Sequence, residues 1–85
     1  MTFEECKEKY PLGSYIIVKH KKQEEYSWFQ VNDYVITISG PFSKTEALPG
    51  WRDPKNGFIC FSPKEYDIIQ TFPNYQSAEK YISQI

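Results

Sequence analysis

Three segments rich in β-branched and aromatic residues follow one another between Ser14 and Ser39: Ser14 to His20, Tyr26 to Val31 and Tyr34 to Ser39. Such residues suit the pleated, half-buried surface of a sheet, and the polar breaks between them are short enough to be hairpin turns. Asn32-Asp33 separates the second segment from the third, and both residue types tolerate positive φ, so a two-residue hairpin loop is predicted there. That turn would set Val31 opposite Tyr34, Phe29 opposite Ile36 and Ser27 opposite Ile38 on one largely apolar side. Register and hydrophobic pattern thus point to the same ribbon.

The other side of the ribbon carries Tyr26, Trp28, Gln30, Val35 and Thr37. Pairing the first segment across the polar Lys21-Lys22-Gln23-Glu24 turn adds Tyr15, Ile17 and Lys19 to it.

The flanks read as shorter elements. Thr2 with Glu5 forms a capping box, Phe3, Cys6 and Tyr10 fall on one helical face, and Pro11 closes that helix. After Gly40-Pro41-Phe42, Ser43 with Glu46 predicts a second short helix stopped by Pro49. Residues 49 to 57 hold two Pro and two Gly and read as a loop. Phe58 to Phe61 is a short buried strand, and Ser62-Pro63-Lys64-Glu65 is another helix start with Pro at the first helical position. Asp67 to Phe72 is open to two readings, a strand or the continuation of that helix through Ile69; its β-rich composition favours one turn followed by a strand. A last helix begins near Ser77, with Ala78, Tyr81, Ile82 and Ile85 along one stripe. The predicted fold is α+β: residues 1–85 as one small domain, a mainly antiparallel sheet of four or five strands with the N- and C-terminal helices packed on it.

Strand, turn and Ser-capped helix succeed one another in both halves, at Ile38 to Leu48 and at Thr71 to Ile82, as ordinary βα punctuation. The stretch Ile38-Ser39-Gly40-Pro41-Phe42-Ser43-Lys44-Thr45-Glu46-Ala47 resembles the second-half motif of SPOR peptidoglycan-binding repeats. The first half of the chain has no counterpart to that family's pattern.

Composition narrows the function classes. Ten Lys and Arg stand against eleven Asp and Glu, a net charge of −1, which argues against a dedicated duplex-DNA binder and equally against an acidic nucleic-acid mimic. The N-terminal residues are acidic and no long apolar run occurs, so the expectation is a cytoplasmic protein without a membrane span. Cys6 and Cys60 read as small apolar core residues in a reducing compartment. Nucleophilic catalysis would need His20, the single histidine, to meet a cysteine and an orienting group. The four glycines are isolated turn residues, and the spacing of His, Cys and carboxylates makes no metal cluster. No catalytic residue, metal or cofactor is therefore assigned.

Seven Tyr, six Phe and two Trp make 18 % of the chain aromatic, a bias shared by cores and interfaces. Two groups of candidate binding residues follow. One is the sheet face of Tyr15, Tyr26 and Trp28 beside Lys19, which admits three readings: core under a helix, a protein interface, or a platform that stacks single-stranded bases. The other is Trp51, Arg52 and Lys55 in the predicted loop, since Trp and Arg are enriched among binding hot spots and Arg52 is the only arginine. Against recognition stands the alternative that Trp51 plugs the core while Arg52 pairs with a nearby acid. The functional expectation is a small non-enzymatic protein-binding module acting on a larger host or complex protein, of the kind phages and mobile elements use to inhibit host defence proteins. The alternatives are a single-stranded nucleic-acid binder and a regulatory or adaptor subunit.

Overall fold

The computed structural model describes residues 2–41, 44–55 and 57–85. Along the chain the elements are helix α1 (Phe3–Lys9), strands β1 (Tyr15–His20), β2 (Tyr26–Gln30), β3 (Asp33–Ser39), β4 (Lys44–Asp53), β5 (Gly57–Cys60) and β6 (Tyr66–Phe72), and helix α2 (Tyr75–Ser83). The strands form two antiparallel three-stranded sheets, ordered β2-β1-β6 and β3-β4-β5. The class is α+β with a helix at each end, but the single sheet of four or five strands expected from the sequence is replaced by two sheets.

The division arises at Val31–Asn32. Val31 donates its N–H to the Ser14 carbonyl at 2.8 Å, continuing the β1–β2 ladder, whereas the next residue, Asn32, donates to the Gly50 carbonyl of β4 at 3.2 Å. Asn32 then spends its side chain on the second sheet. Its Oδ1 accepts from the Arg52 N–H at 2.7 Å and its Nδ2 donates to the Arg52 carbonyl at 3.1 Å, copying a strand's paired backbone bonds. The predicted Asn32-Asp33 hairpin is therefore a crossing between sheets. β2 pairs with β1 (Tyr15 with Gln30, Ile17 with Trp28, Lys19 with Tyr26), which puts Tyr15, Ile17 and Lys19 on the face of Tyr26, Trp28 and Gln30 as expected, and β3 pairs with β4. Val35 and Thr37 accordingly leave the face that holds Trp28.

The segment predicted as helix and then loop is the long central strand β4 from Lys44. Ser43, the predicted helix cap, lies outside the described residues. The SPOR-like stretch thus runs into a strand rather than a helix. Pro49 is tolerated in a central strand because its carbonyl accepts from Phe61 N–H at 3.1 Å, which turns its missing N–H toward the side where the β5 ladder ends at Gly50 and Cys60. Gly50 has a different reason: a Cβ there would lie 2.4 Å from Cζ of Phe58 and 3.0 Å from the Ile59 carbonyl, so the Phe58 ring occupies the space a side chain would need.

At Ser62, one turn is closed by the Tyr66 N–H to Ser62 carbonyl bond at 2.8 Å, and the chain enters β6, as its composition favoured. The β1–β6 register shifts between Ile17 and Val18, so Ile69 is an extra residue. That bulge changes the parity of β6: Tyr66 and Ile68 pack toward the core, whereas Phe72 turns to the other face and meets Tyr81 of α2 at 5.7 Å. α2 starts two residues earlier than predicted, with Asn74 Oδ1 accepting from Ser77 N–H at 2.9 Å as its cap, and buries Ala78 against the first sheet.

The main core lies between the two sheets, with Ile16 and Val18 of β1, Val31, Ala47 and Phe61 joined by Cys6 and Tyr10 from the first helical segment. α1 keeps its Thr2–Glu5 capping box and packs toward β4. Tyr34 fastens β3 to it by donating its hydroxyl to the Tyr10 carbonyl, while its ring meets Phe3 edge-on. The order is thus α2, first sheet, core, second sheet.

Candidate functional site

Among the described residues, β2 is an end strand paired with β1 alone. Because Val31 directs its backbone groups to β1, alternation directs those of Phe29 and Ser27 the same way and turns those of Tyr26, Trp28 and Gln30 outward. The same alternation sends Trp28 to the α2 side and Phe29 to the core side, so aromatic rings flank this edge from above and below.

On the α2 side Tyr15, Trp28 and Tyr75 form a triangle of tilted rings, with centroids 5.6, 6.3 and 6.4 Å apart. On the core side Phe29 meets Trp51 at 5.5 Å and Phe61 at 5.1 Å. Tyr15, Trp28, Phe29, Gln30, Trp51 and Tyr75 together line one open concavity of about 550 Å³. Three of the sequence candidates, Tyr15, Trp28 and Trp51, converge here from β1, β2 and β4. Trp28 and Tyr75 remain 41 % and 44 % exposed. Among the described residues the lining holds no charged side chain. Gln30 Nε2 donates to the Gly13 carbonyl at 3.4 Å, which holds the amide at the rim.

Helix coverage of this sheet face is partial. Ile17 at its centre is fully buried, as a core reading requires, yet the edge with Trp28 stays open. Trp51 is half-buried, packed on Phe29 from within and lining the cleft. It thus packs on the core, as one reading of the sequence had it, without being sealed inside.

Arg52 and Lys55 are not brought to the cleft. Trp51 and Arg52 are neighbours on a strand rather than on a loop, so their side chains leave on opposite faces. Arg52 stacks over the Phe58 ring at 5.0 Å and its Nε is 3.0 Å from Asp33 Oδ2. The acid it meets is thus Asp33, from across the sheet. The Tyr34 N–H bond and then Arg52 hold the Asp33 carboxyl below its usual range. Lys55 sits in the β4–β5 turn, its N–H bonded to Asp53 Oδ1 at 2.9 Å.

Lys19 and Tyr26 pair with each other at the far end of the β1–β2 ribbon, about 13 Å from Tyr15 and Gln30 at the usual strand rise. There Tyr26 joins Glu24, Glu25, Ile82 and Ile85 around a separate concavity. Lys21 pairs with Asp67 at 3.7 Å. The basic residues and the aromatic cleft therefore occupy opposite ends of the ribbon.

His20 packs edge-on against Tyr66, and its Nδ1 accepts from Lys22 N–H. Burial pushes both the Cys6 and the Cys60 thiol up, the opposite of the shift that activates a nucleophilic thiol. Among the described residues no group of three or more His, Cys, Asp or Glu is placed to hold a metal ion, and no helix is long and apolar enough to cross a membrane.

Tyr75, Phe29 and Gln30 are cleft residues that were not among the sequence candidates. Tyr75 was legible as one more step of the α2 stripe, three residues before Ala78. Phe29 was assigned to the apolar side of the ribbon, where it does lie; no local signal tells that this side reaches the sheet edge. Comparison with known proteins finds no matching family model, no matching curated protein and no matching solved structure. The functional reading therefore rests on the site.

Proposed function

We propose that this protein is a protein-binding module whose aromatic cleft at the β2 edge holds an extended segment of a larger partner. The observation that carries this reading is the convergence of five aromatic rings and one amide on a single open concavity, with Trp28 and Tyr75 left more than two-fifths exposed. Rigid aromatic side chains contribute large contact area at little entropic cost, which is why they dominate binding hot spots. An inhibitor that occupies a host protein and a regulatory subunit of a complex would both act through such a surface. Single-strand stacking is less well supported, because α2 lies across the platform and the lysines are at the other end of the ribbon.

The test is affinity capture from a cell lysate with the native protein and with Trp28→Ala. A protein retained by the native chain and lost with the variant supports the reading. Retention of RNA or single-stranded DNA with no protein would refute it.

A further inference from the structure

We propose that β3 is a docking edge for a second copy of this chain, the two β3 strands pairing antiparallel so that their second sheets become one. Among the described residues β3 is an end strand paired with β4 alone. Asn32 N–H donates to the Gly50 carbonyl and the Asn32 side chain brackets the Arg52 backbone, so Gly50 and Arg52 direct their backbone groups toward β3. Asp33, Val35 and Thr37, opposite Gly50, Leu48 and Glu46, therefore face β4, and alternation turns the backbone of Tyr34, Ile36 and Ile38 outward. Tyr34 N–H is taken by Asp33 Oδ1 at 2.8 Å, which leaves the N–H and carbonyl groups of Ile36 and Ile38 on the open edge. Exposed edges are normally blunted by charge, proline or a bulge. Here no charged residue or proline lies between Tyr34 and Ser39, and the register from Asp33 to Ser39 is unbroken. Ile36 and Ile38 are 58 % and 72 % exposed.

Backbone groups alone would admit any strand; the side chains select this one. With Thr37 of each copy beside the two-fold axis, Ile36 lies opposite Ile38 of the second copy, and Ile38 opposite its Ile36. That register gives every outward N–H of the isoleucines a carbonyl and asks nothing of the Tyr34 N–H. A register centred on Ile36 would set Ile38 against Tyr34, whose N–H is already occupied. Tyr34 packs on the core side, and alternation puts Ile36 and Ile38 on the same face, so the isoleucines of the two copies cover one another. Charge agrees: Asp33, held by Tyr34 N–H and Arg52, falls beyond the end of the opposing strand, so no like charges meet. The contact is isologous and closes at two copies. Two seven-residue strands bury less than the roughly 1,200 Å² of a standard interface, so association is expected at micromolar concentrations rather than nanomolar ones.

Sedimentation of the full chain from micromolar to millimolar concentration tests this. The expected result is a reversible rise from the monomer mass to twice that mass and no further. Ile38→Lys changes a side chain already in water, so the fold should survive, while the dimer dissociation constant should rise by about ten-fold or more. The register is read by mild oxidation. Thr37→Cys should cross-link to its counterpart across the axis, where a non-hydrogen-bonded pair brings the backbones within disulfide reach. Val35→Cys should not, because the two copies of that position lie about 13 Å apart along the strands. The native chain, with Cys6 buried and Cys60 half-buried, is the blank. A chain that stays monomeric at millimolar concentration overturns the inference; if the Ile36 and Ile38 amides then respond to an added strand-forming peptide, the edge belongs to another protein's strand. Species larger than two copies also overturn it, since β3 docking on β2 of the next copy would grow without closing. So does a dimer indifferent to Ile38→Lys, or one that cross-links through Val35→Cys and not through Thr37→Cys.

Discussion

The outer faces of the two sheets carry the same kinds of residue, yet the fold has used them differently. On the second sheet, Arg52 is occupied on Phe58 and Asp33, Phe58 fills the space over Gly50, and Asn32 is bonded to the Arg52 backbone. On the first, α2 seals Ile17 but leaves Trp28 and Tyr75 half-open over a concavity. The lesson is that a residue type enriched in interfaces is evidence of binding only after its intramolecular partners are known. Arg52 has the right identity for a hot spot and is already engaged within the chain; Trp28 is not sealed in the core.

The sharpest challenge to this contrast comes from the two tryptophans. Trp51→Ala removes a ring packed on Phe29 beside the core and should destabilise the fold by roughly 2–3 kcal/mol. Trp28→Ala should cost only about 1 kcal/mol, since much of that ring is already in water. Denaturant unfolding of both variants checks this, and equal losses would erase the distinction between an open and a sealed ring.

Gly50→Ala probes the second sheet. The added methyl meets Phe58 and the Ile59 carbonyl, so a loss of roughly 1–3 kcal/mol is expected from overpacking. Thermal melting of Gly50→Ala beside Gly50→Ala with Phe58→Ala separates the causes. If removing the ring does not relieve the loss, the stack over Gly50 is not what excludes a side chain there.

The smallest effect concerns Asp33. Its carboxyl is held below the ordinary value of 3.8, chiefly by the Tyr34 N–H and then by Arg52, so the folded state favours the ionised form. The stability this contributes is present above the ordinary value and is lost as pH falls through the lowered one. Acid unfolding followed by circular dichroism should therefore show a shallower decline below about pH 4 in Asp33→Asn than in the native chain. An identical acid limb in the two proteins would show that the ionised Asp33 carboxylate, with its Tyr34 and Arg52 partners, does not contribute to stability.

Local chemistry alone determined a good deal. The Thr2 capping box, the β1–β2 pairing across the Lys21-Lys22 turn, and the stripe of the last helix are all readable because each depends on residues close together in the chain. The face shared by Tyr15 and Trp28 followed from that pairing. Where the second and third strands go was a tertiary decision, because the Asn32 side chain pairs with Arg52, far along the chain, and no neighbour of Asn32 announces it. Likewise Pro49-Gly50 has the composition of a loop and lies in a central strand, since the absent N–H falls beyond the end of β5 and the absent side chain makes room for Phe58. The cleft belongs to the same category: Tyr15, Trp28, Trp51 and Tyr75 come from four elements, and only the packing of α2 on one sheet and β4 beneath the edge of that sheet brings their rings together.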